Sequence, residues 1–202
     1  MDKIQLLKSL KQEGFSKEIL NAFSKVKREK FIPENLKTKA YDDNALPIED
    51  GQTISQPYTI AKMLELLSLK KAQKVLEIGS GCGYVLALIS NIVGNHGKAY
   101  GIEIIKNLAN KSMVNLSDYS NIIVYNKNGS DGLLEKSPFD RIIISAALEE
   151  IPEKIIEQLS DNGIIVAPIG SQYEQTLTSF QKVNGILEMR EEIPGFVFVP
   201  FV

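Results

Sequence analysis

Glu77 and Glu103 frame the stretch of this sequence best suited to chemistry. The run Lys74-Val75-Leu76-Glu77-Ile78-Gly79-Ser80-Gly81-Cys82-Gly83 is an apolar strand that carries an acid and breaks into alternating glycines. A strand that enters a helix through such a turn lets backbone approach a ligand more closely than side chains permit, at the carboxyl edge of a parallel sheet. A dinucleotide fingerprint needs Gly-x-Gly-x-x-Gly, which would put glycine where Tyr84 stands, and a phosphate loop needs a Lys-Ser/Thr pair that this turn lacks. The turn therefore favours a nucleoside without phosphates, such as S-adenosyl-L-methionine, held at Gly79, Ser80 and Gly81. Glu103 stands 24 positions beyond Gly79 at the end of the next predicted strand, where an acid accepts hydrogen bonds from a ribose diol. Glu77 has two readings: it orients the glycine loop or the ligand's ammonium group, or it caps the turn without touching ligand.

The elements that must position these groups show in the periodicity. Strands near 73–78, 98–103, 121–126, 139–145 and 163–168 alternate with helical segments, the pattern of an α/β protein whose parallel strands share one carboxyl rim. Residues 176–183 and 186–193 flank Asn184-Gly185, a strong hairpin signal, and residues 196–199 give a further strand, so the sheet closes antiparallel. Ahead of the sheet, residues 2–63 read as a helical layer, with Leu6, Leu7, Leu10, Ile19, Leu20, Phe23 and Val26 at helical spacing. Pro33, the irregular stretch 41–47 and the loop Gly51-Gln52-Thr53-Ile54-Ser55-Gln56-Pro57 interrupt it. A length of 202 residues suits a single domain, with 1–63 as the helical and substrate-loop region and 72–202 as the α/β core.

Composition narrows the partners. With 23 basic and 25 acidic residues the net charge of −2 gives no electrostatic footprint for nucleic acid. No apolar run approaches the roughly 18 to 20 residues that cross a bilayer, so no membrane partner is expected either. A lone cysteine cannot form an internal disulfide, and the start Met1-Asp2-Lys3-Ile4-Gln5 lacks a signal peptide's apolar stretch; a cytoplasmic monomer is the expectation. One histidine and one cysteine supply no zinc cluster, so no metal is expected. His96 lies in a polar turn, Cys82 reads as a small residue filling the glycine turn, and Lys25 to Lys30 as a solvated helix end.

Phe31-Ile32-Pro33, Tyr41-Asp42 with Ala45-Leu46-Pro47-Ile48, and the 51–57 loop are followed in order by the glycine run and Pro138-Phe139-Asp140-Arg141-Ile142-Ile143. Ile151-Pro152, Gln158-Leu159, Pro168-Ile169-Gly170 and Phe198-Val199-Pro200 complete the series. In that order the landmarks resemble the protein-L-isoaspartate O-methyltransferase family over nearly the whole chain. The resemblance implies a class I S-adenosylmethionine-dependent methyltransferase (Rossmann-like) sheet, with strands six and seven transposed, beneath an N-terminal helical layer. It also implies methyl transfer from S-adenosyl-L-methionine to the α-carboxylate of L-isoaspartyl residues in damaged proteins and peptides. Ser55 takes the catalytic position by this resemblance, its hydroxyl donating to the substrate carboxylate, while Thr53, Ile54, Gln56 and Val199 contact substrate. Residues alone leave another reading for Thr53 and Ser55, hydroxyls that bond their own turn.

Three positions depart from the family pattern. Lys127-Asn128-Gly129 replaces Gly-Asp-Gly, which puts Asn128 and Gly129 at the adenine with Asp131 as the alternative acid; Ser145-Ala146-Ala147 replaces Thr-Ala-Ala; and a longer C-terminal segment that helps enclose ligand would fall beyond Val202. Two other functions share the glycine turn. One is a class I methyltransferase acting on another nucleophile, the other a non-catalytic S-adenosylmethionine-binding adaptor, and methyl transfer to an isoaspartyl peptide separates them from the first reading.

Overall fold

Two short helices and a small strand pair come first in the computed structural model, which describes residues 1–201. Helix α1 (Lys3–Gln12) starts at a reciprocal cap in which the Gln5 amide donates to Asp2 and the Asp2 amide donates to the Gln5 side chain. Helix α2 (Lys17–Lys25) buries Ile19, Ala22 and Phe23. The expected helical layer then breaks more thoroughly than periodicity suggests, into 3₁₀ turns at Arg28–Lys30 and Glu34–Lys39. The segment expected as plain loop forms a two-residue ladder, β1 (Leu46–Pro47) against β2 (Thr53–Ile54), with buried Leu46 opposite buried Ile54. Helix α3 (Pro57–Leu67) opens on a proline, whose missing N–H costs nothing in a first turn, and runs past Met63 to a left-handed Ser68.

The sheet obeys a two-residue alternation that fills both faces. It contains β3 (Lys74–Ile78), β4 (Lys98–Glu103), β5 (Ile122–Asn126), β6 (Phe139–Ile144), β7 (Leu159–Gly170), β8 (Gln175–Val183) and β9 (Ile186–Phe196). Val75, Ile143, Ile164 and Val166 enter the core shared with α1 to α3, α4 (Tyr84–Val93) and α5 (Lys106–Asn115), while Leu76, Ile142, Ile144 and Ile165 enter a second core that receives Ile155 of α6 (Glu153–Glu157). Such double burial explains why these strands read as continuous apolar runs. The order across the sheet is β5-β4-β3-β6-β7-β8-β9, parallel through β7 and antiparallel at β8 and β9. The chain leaves β3 toward β4 and later returns to β6 on its other side. That reversal opens a crevice at the carboxyl ends of β3 and β6, where ligands bind in open α/β sheets.

One expected strand is absent. β9 carries the chain through Pro194 and Gly195 to Phe196, which still pairs with Gln175, and beyond it residues 197–199 leave the sheet. The departing backbone instead crosses the carboxyl end of β6: the Ala147 amide donates to the Val199 carbonyl and the Phe201 amide to the Ala147 carbonyl, each at 2.8 Å. The Phe198 amide donates to Gln175 Oε1 at 2.7 Å, which holds this tail against the start of β8.

A buried amide fixes the loop between β5 and β6. Gln158 Oε1 accepts the Leu133 amide at 2.6 Å, and its Nε2 donates to the Asp131 and Lys154 carbonyls at 2.8 and 2.9 Å. Replacing Gln158 by Leu strands those groups. The expected result is a loss of about 1–3 kcal/mol of stability, read as a lower denaturant midpoint with unchanged slope.

Candidate active site

The turn after β3 takes its shape from β4. Gly79 and Ser80 amides both donate to the Ile102 carbonyl at 2.9 and 3.0 Å, and the Gly81 amide donates to Glu103 Oε2 at 2.8 Å. Gly79 and Gly81 have φ of 80° and 50°, a region where a side chain is strained. The second Glu103 oxygen accepts the Ile105 amide at 2.9 Å, so one carboxylate joins the glycine turn to the entrance of α5.

A cavity of about 330 Å³ opens above this turn, lined by Gly79, Gly81, Glu103 and Gly129. Gly129 reaches it because a Cβ there would meet Ile78 Cγ2 at 2.3 Å, so only glycine lets the β5–β6 loop come this close. The tip between β1 and β2 forms the roof with Ile48, Gly51, Gln52 and Thr53. It is tied to α5 twice, by the Lys111–Glu49 ion pair and by Asn107 Nδ2 donating to Asp50 Oδ2 at 3.0 Å.

A second cavity, of about 460 Å³, adjoins the first and is lined by Ser55, Gln56, Tyr58 and the 193–199 segment. Thr53, Ser145 and Val199 line both cavities. The sequence therefore places Gly79, Gly81, Glu103 and Gly129 around one space, Ser55 and Gln56 around the other, and Thr53 and Val199 at their boundary.

Other expected residues sit elsewhere. Ser80 is buried beneath the turn against β4, where a Cβ on Gly101 would meet its side chain at 3.0 Å. Ile54 is a core residue on β2 and lines neither cavity. Asn128 is exposed, lies off the cavity wall, and its Oδ1 accepts the Ser130 amide at 2.7 Å. Asp131, the alternative acid, is also off the wall and pairs with Lys154 at 2.7 Å. A turn amide has claimed Asn128, and a lysine 23 residues away on α6 has claimed Asp131. Sequence reasoning passed over Ser145 as a site residue, although a hydroxyl directly after a strand at the crevice was a usable signal. Phe201, on the wall of the first cavity, had no such signal.

Glu77 lies behind the wall. Its Oε1 accepts the Ser145 hydroxyl at 2.9 Å, while Oε2 has no hydrogen-bond partner among the described residues. Burial pushes its carboxyl up to about 8, the Ser145 bond opposes that rise, and the nearby Glu103 charge adds to it. An unpaired buried acid beside glycines in left-handed conformations fits a cationic nucleoside such as S-adenosyl-L-methionine. Burial also pushes the Cys82 thiol up to about 11, which leaves it unreactive.

The sheet order, the reversal beside β3 and the glycine turn define a class I S-adenosylmethionine-dependent methyltransferase fold. A family profile described as protein-L-isoaspartate(D-aspartate) O-methyltransferase matches residues 1–202, and the chain belongs to that family. It is 42% identical over 195 residues to the protein-L-isoaspartate O-methyltransferase of Thermosipho melanesiensis, covering 96% of this chain and 98% of that one. A solved protein-L-isoaspartate O-methyltransferase superposes with a TM-score of 0.89 at 29% identity, over 98% of this chain and 65% of the longer solved chain. A Plasmodium falciparum structure, described as a putative protein-L-isoaspartate O-methyltransferase in complex with S-adenosyl-L-homocysteine, superposes with a TM-score of 0.86. Its identity is 27%, over 98% of this chain and 97% of that one.

Glu77 links stability to pH. Its carboxyl sits above the ordinary value of 4.5 in the folded chain, so the folded state holds a proton that the unfolded state has already lost. Stability from this group is full below about 4.5 and declines as pH rises toward about 8, by up to about 1.36 kcal/mol per pH unit. Glu77→Gln removes the titration. Denaturant melts at pH 5 and pH 8 are expected to show the parent losing stability relative to the variant.

Proposed function

We propose that this chain transfers a methyl group from S-adenosyl-L-methionine to the α-carboxylate of L-isoaspartyl residues in proteins and peptides. The observation that carries the reading is the pair of adjoining cavities, one built on the glycine turn and Glu103, the other on Ser55, with Thr53, Ser145 and Val199 between them. Two reactants held on either side of that boundary face each other.

Bound S-adenosyl-L-methionine supplies a methyl group made electrophilic by its sulfonium. Backbone at Gly79 and Gly81 gives it close access, and Glu103 offers its remaining lone pairs to the ribose hydroxyls. The Gly129 backbone takes the adenine side, with Asn128 shaping that loop through its bond to Ser130. An α-carboxylate is ionised at neutral pH, so attack needs no strong base. Ser55 donates its hydroxyl to that carboxylate and aims the attacking oxygen, while Thr53, Gln56 and Val199 border the peptide. Holding reactants in line contributes up to about 7–11 kcal/mol in favourable systems. Esterification converts a carboxylate oxygen into a methoxy leaving group, so the next backbone nitrogen of the client can attack the ester carbonyl, release methanol and form a succinimide, which returns some normal aspartate on hydrolysis.

The reading treats residues 1–202 as one catalytic domain that acts as a cytoplasmic monomer, without nucleic acid or membrane. A net charge of −2 and a single cysteine support it, and among the described residues no helix is long and apolar enough to cross a membrane. With S-adenosyl-L-methionine and no added metal, an isoaspartyl peptide is expected to be methylated far faster than its aspartyl twin; equal labelling overturns the reading. Ser55→Ala is expected to cut turnover about tenfold or more at saturating peptide, with the dissociation constant for S-adenosyl-L-methionine unchanged, since a hydrogen bond to a charged group is worth about 1.5–3 kcal/mol. Near-normal turnover would reduce Ser55 to a turn residue.

A further inference from the structure

Glu77 lines neither cavity, yet it holds the hydroxyl of Ser145, which lines both. It is 1% exposed and one of its oxygens has no partner among the described residues. The groups facing it are Glu103 from β4, Ser145 from the end of β6 and Cys82 from the turn before α4. None of them is a cation. A buried carboxylate without a countercharge keeps its proton until a positive charge arrives. On the function proposed above, that charge is a sulfonium at the boundary marked by Ser145, because the methyl group must cross there.

We propose that Glu77 is a charge-compensating acid: protonated in the free protein, it gives its proton to solvent when the cationic methyl donor enters and regains one after methyl transfer. The step balances. As the carbon–sulfur bond breaks its electron pair stays on sulfur, the carboxylate oxygen forms the new bond to carbon, and the cavity loses one positive charge. Glu77, now beside a neutral thioether, takes a proton from solvent. This makes it a positioning residue acting through Ser145, and it favours the charged donor over the spent product. The raised carboxyl at about 8 places the exchange near neutral pH.

Calorimetric titration of the intact protein tests this, with S-adenosyl-L-methionine and S-adenosyl-L-homocysteine at pH 7 in buffers of different ionisation enthalpy. The methyl donor is expected to release up to one proton and the product clearly less. Between pH 6 and 7.5 the donor's dissociation constant should fall up to tenfold per pH unit. Glu77→Gln should flatten that slope; the ligand's own amino group titrates alike in both proteins, so the difference isolates Glu77. Equal proton release by the two ligands, or release that persists in Glu77→Gln, overturns the proposal. The first comparison uses only the parent protein and decides the matter even if the variant fails to fold. The donor binding without methyl transfer to isoaspartyl peptide would overturn the function above, while the proton count still judges Glu77. No binding of either ligand overturns both.

Discussion

The site depends on the way the turn after β3 continues the bonding pattern of β4. Three successive amides, of Gly79, Ser80 and Gly81, find their acceptors on Ile102 and Glu103. A left-handed turn therefore keeps its backbone groups paired while presenting almost no side-chain bulk. The same Glu103 receives the Ile105 amide before α5, so moving the turn would disturb the helix that anchors the cavity roof through Lys111 and Asn107. Floor, wall and roof are thus coupled through one carboxylate.

Legibility followed the range of the interactions. The glycine turn and the parallel strands were readable because each is a local pattern: alternating glycines after an apolar run, and continuous apolar strands buried on two faces. Asn128 stands off the cavity wall because an adjacent turn can claim a short amide, and its Oδ1 accepts the Ser130 amide. Ile54 went to the core for a similar reason, since its register opposite Leu46 turns it inward. The tail after β9 was the least legible element. Its path depends on Ala147 and Gln175, which lie 52 and 23 residues before Val199 and Phe198.

Different mechanical supports sit on the two sides of the boundary. The first cavity rests on sheet ends and on a glycine turn whose amides are bonded to β4, so its floor is held by the central sheet. The second is closed by the β1–β2 region, which lies outside the central sheet, and by residues 193–199, which run from the end of the edge strand β9 into the tail beyond it. Support from the sheet suits a ligand of fixed shape. A peptide with varied flanking residues is better met by backbone-rich segments whose side chains make few demands, and Pro194, Gly195 and Val197 in this wall have that character.

Two acids at one crevice divide the electrostatic work by their partners. Glu103 accepts two backbone amides, one on each carboxylate oxygen. Glu77 has a single hydroxyl donor and a neighbouring negative charge, and its carboxyl rises. The contrast is a consequence of topology: β4 ends beside the amides of a turn and a helix entrance, whereas Glu77 faces sideways from within β3 toward β6, where Ser145 is its only hydrogen-bond donor among the described residues. A sheet of this order thus gives two residues of the same type different hydrogen-bond surroundings, set before any ligand arrives.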